Sequence, residues 1–366
     1  MTNFFRGILC PIVAGSLLFT ACKKDDQPVP QVPDPEQYLT IKVKASIKVG
    51  DVLYDSIPGD FTIMSWDKNG VKHENDTLLP AGSSQVSLPV SHQRYALRLS
   101  KWGKVYELAL PKSEVINGQL YLVGGNQAAK KLVSEQSYSF QDGAFRLQRK
   151  QTYDYDPQGR LDKVSYIYYN TIENNPAPTL SSVDKIFYNE NRLEQIQTVD
   201  KLEGSDDVIG YNRFYYNQGG DLMALQYKYR ENFIMYMNDY SQQDGMNIIS
   251  MKALQEDHNP SGSRIDLKFS QGNRVEETTI IPGTPASTRN YEFDAGINPF
   301  IHLNWHQSYF KDKSKNNPVA EKINGTLSLR SEYQYDSEGY PTEVIKRELN
   351  AQTGEFRIVM KTVYSY

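Results

Sequence analysis

Tyr153-Asp154-Tyr155-Asp156-Pro157-Gln158-Gly159-Arg160-Leu161 is the stretch that decides the fold. Tyr-x-Tyr places two rings on one face of a strand. Asp then opens a tight turn, its side chain bonded to nearby backbone N–H groups. Gly, three residues later, adopts positive φ without steric cost. Arg-Leu starts the return strand, and the unit is a β-hairpin. Two further copies follow, Tyr216-Asn217-Gln218-Gly219-Gly220-Asp221-Leu222 and Tyr333-Gln334-Tyr335-Asp336-Ser337-Glu338-Gly339-Tyr340-Pro341. Looser copies are Tyr188-Asn189-Glu190-Asn191-Arg192-Leu193, Tyr240 to Met246, Phe269 to Val275, and Phe293-Asp294-Ala295-Gly296. Their spacing is irregular, which excludes a strict solenoid. Hairpins in series give an antiparallel meander, and a long meander must curl or close because open edges invite aggregation. The expectation for 130–366 is therefore a Tyr-rich β-meander, curved or barrel-like.

Tyr-x-Tyr-Asp-x-x-Gly-Arg-Leu resembles the YD repeats of large bacterial surface proteins. The run Phe293-Asp294-Ala295-Gly296-Ile297-Asn298-Pro299-Phe300, the copy at 335–341 and the Tyr364-Ser365-Tyr366 ending resemble a Bacteroidota family of lipoproteins of unknown function, porin-like in fold. The resemblance implies an all-β, curved or barrel-like body with no assigned reaction and no catalytic residues. It covers roughly 130 to 366.

Upstream, residues 38–125 read as a small β-sandwich of immunoglobulin-like or transthyretin-like type. Ile41, Val43, Ala45, Ile47 and Val49 alternate with Lys42, Lys44, Ser46 and Lys48, the period of a strand with one buried face. Further strands are predicted at 61–66, 84–90, 94–101, 104–110 and 119–123. Turns are marked by Pro58-Gly59, Asn69-Gly70 and Ala81-Gly82. The fold class is thus all-β in two parts.

The first residues place the chain in a cell. Arg6, the apolar run Gly7 to Phe19 and the small residues Thr20 and Ala21 form a secretory leader, 1–21. The run is too short for a transmembrane helix, which needs about 20 residues. Cys22 follows the cleavage point, as in a bacterial lipobox, and is the predicted lipidation site. Residues 22–37 then form a lipidated, Pro-rich tether through Pro28, Pro30, Pro33 and Pro35. Cys10 and Cys22 are the two cysteines of the chain. Cleavage and acylation leave no thiol for catalysis, zinc–thiolate binding or a disulfide.

The formal net charge is −4, and the leader removes one more cation. No basic stripe stands out, so nucleic acid is not an expected partner. Tyrosine is abundant at 26 residues. It suits strands with one face on a core and one near water. A membrane-spanning barrel is disfavoured, because Arg330 to Arg347 is too rich in charge for a lipid-facing band.

No catalytic residue, cofactor or metal site is predicted. His302 and His306 share a face only on a helix, and on a strand they stand about 13 Å apart. Asp156, Asp294 and Asp336 read as turn caps rather than calcium ligands. The candidate ligand-binding residues are Tyr211, Arg213, Tyr215, Tyr227 and Tyr229, from two Tyr-dense segments. The leading expectation is an outer-membrane, lipid-anchored protein facing the cell exterior. It would bind a glycan or protein partner without catalysis. The alternatives are a carbohydrate-active enzyme using two carboxylates and a structural envelope component.

Overall fold

The computed structural model describes residues 36–79, 82–170, 178–201, 206–254, 259–303 and 314–366. Cys22, the leader and most of the tether lie outside this range. No α-helix occurs among the described residues.

The first part contains β1 (Tyr38–Val49), β2 (Val52–Asp55), β3 (Gly59–Trp66), β4 (Lys72–Leu79), β5 (Ser83–Pro89), β6 (Arg94–Lys101), β7 (Lys104–Pro111) and β8 (Leu120–Gln127). β1 pairs antiparallel with β2 and β5 along one edge and parallel with β8 along the other. The second sheet runs β4-β3-β6-β7. The alternation read in β1 is what buries it: Ile41, Val43, Ala45, Ile47 and Val49 are all at 0% exposure. They share one core with Phe61, Tyr95, Leu97 and Leu99 of the second sheet. β2 and β4 were not predicted. β4 is Lys72-His73-Glu74-Asn75-Asp76-Thr77-Leu78-Leu79, poor in β-formers. It is a strand because it pairs along the whole length of β3 at the sheet edge.

The second part is a closed antiparallel barrel of 16 strands. These are β9 (Ser134–Gln141), β10 (Ala144–Tyr155), β11 (Leu161–Tyr169), β12 (Pro178–Asn189), β13 (Arg192–Asp200), β14 (Val208–Tyr216), β15 (Leu222–Tyr229) and β16 (Asn232–Gln243). They continue as β17 (Met246–Leu254), β18 (Pro260–Ser270), β19 (Asn273–Ile280), β20 (Ser287–Phe293), β21 (Pro318–Ile323), β22 (Thr326–Tyr335), β23 (Pro341–Leu349) and β24 (Phe356–Ser365). Each strand pairs with the next, and β24 closes the ring on β9.

The three clear repeats build one turn. The side-chain oxygens of Asp156, Asn217 and Asp336 accept from the N–H four residues on, at 2.8, 2.9 and 3.0 Å. Gly159, Gly220 and Gly339 stand at φ +83, +94 and +85°. Asp67 builds the same turn in the sandwich, accepting from Val71 N at 2.9 Å. The tyrosines stitch hairpins together. Tyr188 donates to Leu161 O and Tyr240 to Leu222 O, at 2.8 and 2.7 Å, and Tyr366 donates to Pro341 O at 2.9 Å. In each case the acceptor is the first residue after a repeat's turn. Arg160, from one turn, stacks over the Tyr188 ring of the next hairpin at 4.5 Å. The Phe293-Asp294-Ala295-Gly296 copy departs from this pattern. Its return strand begins only at Pro318, after a connection that carries a 3-10 turn, Pro299–His302.

These turns share one end of the barrel, here the near end, and the sandwich packs there. Ile297 and Tyr340, from near-end loops, are fully buried in the sandwich core. Lys130 N donates to the Tyr340 hydroxyl at 3.0 Å, and Tyr54 OH to Lys315 O at 2.9 Å.

Burial separates the two faces of the barrel wall. On one face lie Val164, Tyr166, Asp184, Ile186, Ile196, Asn212, Phe214, Met251 and Leu267, all buried. In a closed sheet this face is the lumen. The other face carries charges in direct or diagonal cross-strand pairs. Examples are Lys268–Glu276 (2.7 Å), Lys322–Glu292 (2.6 Å), Arg347–Glu332 (2.9 Å) and Lys163–Asp154 (2.7 Å). Each pair contributes little stability, about 0–1 kcal/mol. Their position matters more. A cation facing the bilayer midplane from a barrel strand costs about 2–4 kcal/mol. The outward face therefore carries charge that a lipid-facing band does not tolerate, and the inward face is buried, with polar groups such as Glu135, Gln151 and Glu277 among its apolar side chains.

Candidate ligand-binding site

The strand register divides the five predicted binding residues. Arg213 pairs with Gln195 and Gln226, and Tyr211 with Gln197 and Lys228, so Tyr211, Arg213 and Tyr215 face outward. They form a cluster of their own. The Arg213 guanidinium stacks on the Tyr211 ring at 4.7 Å. Tyr215 OH donates to Gln226 Oε1 at 2.8 Å, and Arg213 Nε to Gln195 Oε1 at 3.1 Å. Tyr227 pairs with Asn212, and Tyr229 with Gly210, which turns both rings into the lumen. The five candidates thus lie on two surfaces, on opposite sides of one wall. The five-residue turn 217–221 adds a bulge between Tyr215 and Tyr216. That bulge fixes which tyrosines of β15 match which of β14, and periodicity alone does not reveal it.

Tyr227 and Tyr229 line a cavity of about 490 Å³ at the far end of the lumen. Its inward-facing lining adds Tyr168, Ser182, Thr198, Asp200, Asn212 and Tyr236. Leu225 and Ile234 add apolar surface inside, and Ile209, Tyr211, Lys228 and Arg230 complete its rim. The hydroxyls of Tyr168, Tyr227, Tyr229 and Tyr236 make no hydrogen bond to the described residues, in contrast to the stitching tyrosines of the near end. Burial pushes the phenols of Tyr227 and Tyr236 upward, so they stay neutral donors and acceptors. One layer deeper, Asp184 is 1% exposed and accepts from Tyr166 OH at 2.9 Å and Thr198 Oγ1 at 2.7 Å. Burial and the Asp184 carboxylate together hold the Tyr166 phenol well above its ordinary range. Sequence reasoning missed Tyr168, Tyr236 and the small polar residues. Tyr166-x-Tyr168 carried the Tyr-x-Tyr signal, whereas nothing in the sequence marked Ser182, Thr198 or Asn212.

A second concavity lies in the joint between sandwich and barrel, with lobes of about 1060 and 700 Å³ that share Pro58, Asp294 and Ala295. Its polar groups are committed to one another. Lys44 pairs with Asp55 at 2.5 Å. Lys315 Nζ donates to Leu53 O at 2.6 Å, and Lys101 Nζ to Pro58 O at 2.7 Å. Asp294 accepts from Tyr335 OH and from Gly296 N. The Trp102 ring lies where a Cβ on Gly339 would stand. The Lys315–Leu53 and Trp102–Gly339 contacts cross between sandwich and barrel and fasten the two together.

His302 sits at the same joint, against Gly50 and 6.2 Å from the Tyr340 ring. Burial lowers its pKa to about 4. It is therefore a half-buried neutral histidine at the end of the 3-10 turn between β20 and β21. His306 lies outside the described residues. Among the described residues, no three His, Cys, Asp or Glu side chains converge to hold a metal ion.

No protein-family model matches the chain, and no curated protein does. Solved structures similar to it include a porin-like protein from Bacteroides uniformis, at 13% identity and TM-score 0.47, covering 65% of this chain and 98% of that one. Another is a porin-like protein from Bacteroides vulgatus, at 12% identity and TM-score 0.33, covering 64% of this chain and 99% of that one. The closed barrel stands on the strand register described above.

Proposed function

We propose that the protein is a lipid-anchored component of the outer membrane that faces the cell exterior, is tethered through Cys22, and binds a glycan in the far-end cavity without catalysis. The observation that carries this reading is the set of four tyrosines, Tyr168, Tyr227, Tyr229 and Tyr236, whose hydroxyls make no hydrogen bond among the described residues, beside Ser182, Thr198 and Asn212. Aromatic faces flanked by neutral donors and acceptors suit sugar rings, which present apolar faces and hydroxyl edges. Asp184 is engaged by Tyr166 and Thr198 and serves as a fixed acceptor, which favours binding over a two-carboxylate hydrolysis.

The anchor fits the same reading. The tether joins β1 at Tyr38, while Gly50, just past the other end of β1, lies against His302 at the joint with the barrel. Twelve extended residues span about 40 Å. An acylated tether upstream of Tyr38 thus enters the sandwich at the end of β1 opposite the joint with the barrel.

The test is a glycan array probed with the acylated protein and with a Tyr227→Ala/Tyr229→Ala variant. Binding that the double variant loses supports the reading. A blank array, or an unmodified and uncleaved leader by mass spectrometry, overturns it.

A further inference from the structure

We infer that the far-end cavity recognises the end of a neutral glycan chain and excludes the chain's interior. This rests on the glycan-binding reading above and goes further, because the lumen below the cavity is filled.

The filling can be followed strand by strand. On β11 the inward positions run from Tyr168, in the cavity, to Tyr166 at 3%, Val164 at 0% and Leu161 at 1% exposure. On β12 they run from Ser182 to Asp184 at 1% and Ile186 at 5%. β13 goes from Asp200 and Thr198 to Ile196 at 0%, and β14 from Asn212 to Phe214 at 5%. β15 goes from Tyr229 and Tyr227 to Leu225 and then Leu222 at 2%. Each of these five rows passes from a lining residue to a buried one within one or two inward steps, each about 6.6 Å along the strand. Near-end segments close the other end. Leu132 and Leu303 are buried in the barrel core, and Phe300 packs against Tyr364.

A lumen that ends in a floor admits a chain only by its terminus. A polymer lying across the rim would reach Lys228, Tyr229 and Arg230 but not Asn212 or Tyr236, which lie further down their strands. Lys228 and Arg230 stand at the rim, where β15 ends, and Asp200 faces inward directly across from Ser182. The other inward positions are neutral, Tyr168, Tyr227, Tyr229, Tyr236, Ser182, Thr198 and Asn212, and the Asp200 carboxylate beside Ser182 disfavours an anionic sugar.

The experiment is calorimetric titration of the full-length mature protein with linear neutral gluco-, manno- and xylo-oligosaccharides of increasing length, and with cyclic glucans. End recognition predicts that a linear series binds one chain per protein. Its affinity rises over the first few units and then stays flat. Cyclic glucans bind at least about tenfold more weakly than the linear chains of the same linkage. Tyr227→Ala and Tyr229→Ala, checked for an unchanged circular dichroism spectrum, abolish the linear binding. If cyclic and linear glucans bind alike, or affinity climbs steadily with length, while the two variants still abolish binding, end recognition is wrong and the glycan reading stands. Binding that survives both variants, or no binding by any member of the panel, overturns both.

Discussion

The two halves of the barrel wall are made from the same strands and differ in what those strands turn inward. The near half presents Leu161, Val164, Ile196, Phe214, Leu222 and Leu267, none more than 5% exposed. The far half presents Tyr168, Tyr227, Tyr229 and Tyr236 with Ser182, Thr198 and Asn212. Strand pairing alone does not make a core or a cavity. A 16-stranded ring is wide enough to leave an aqueous channel. What removes the channel here is apolar bulk in the near half together with loops that fold over it. What leaves a cavity is the change to tyrosine and small polar residues along the same rows.

The contrast predicts a graded set of outcomes. Phe214→Ala in the near half should cost the most, about 3–5 kcal/mol, read as a lower thermal midpoint by circular dichroism. A loss under about 1 kcal/mol would mean that this half is not packed. Asp184→Ala lies at the boundary between the halves. It strips the acceptor from the Tyr166 and Thr198 hydroxyls and should cost about 1–3 kcal/mol in urea unfolding, with Asp184→Asn recovering part of it.

His302 tests the near-end joint by pH. Its folded-state pKa, about 4, lies below the 6.5 of the unfolded chain. The unfolded state therefore binds the proton first, and stability is lost as pH falls from about 6.5 toward 4. His302→Leu should flatten that part of the stability–pH profile, and an unchanged slope would remove His302 as its cause. The smallest stability effect belongs to the far half. Tyr227→Ala and Tyr229→Ala should each stay near 0.5 kcal/mol, although both rings line the cavity. A large stability loss from either would erase the distinction between the halves.

The parts of this arrangement differ in how far the sequence reveals them. β1 was legible residue by residue, because strict alternation of Ile, Val and Ala with Lys has one physical solution. The turns at Asp156, Asn217 and Asp336 were legible because an Asx side chain followed by a glycine at fixed offset closes a loop by itself. The all-β class and the curling of the meander follow from those two signals. β4 was not legible, since its pairing with β3 outweighs its polar composition. Nor was the division of Tyr211, Arg213 and Tyr215 from Tyr227 and Tyr229. Facing is set by register, register by the bulge at Tyr216, and the same tyrosine stitches a hairpin in one row and lines a cavity in another.

The central claim is that the barrel has a water-facing exterior and a packed interior, and one measurement tests it most directly. The chain lacking residues 1–22 should be produced without detergent and followed by size-exclusion chromatography with light scattering and circular dichroism. The account predicts a soluble, monodisperse, β-rich species that keeps its fold in plain buffer. Recovery only in detergent micelles, with heat-modifiable migration on gels, would contradict it.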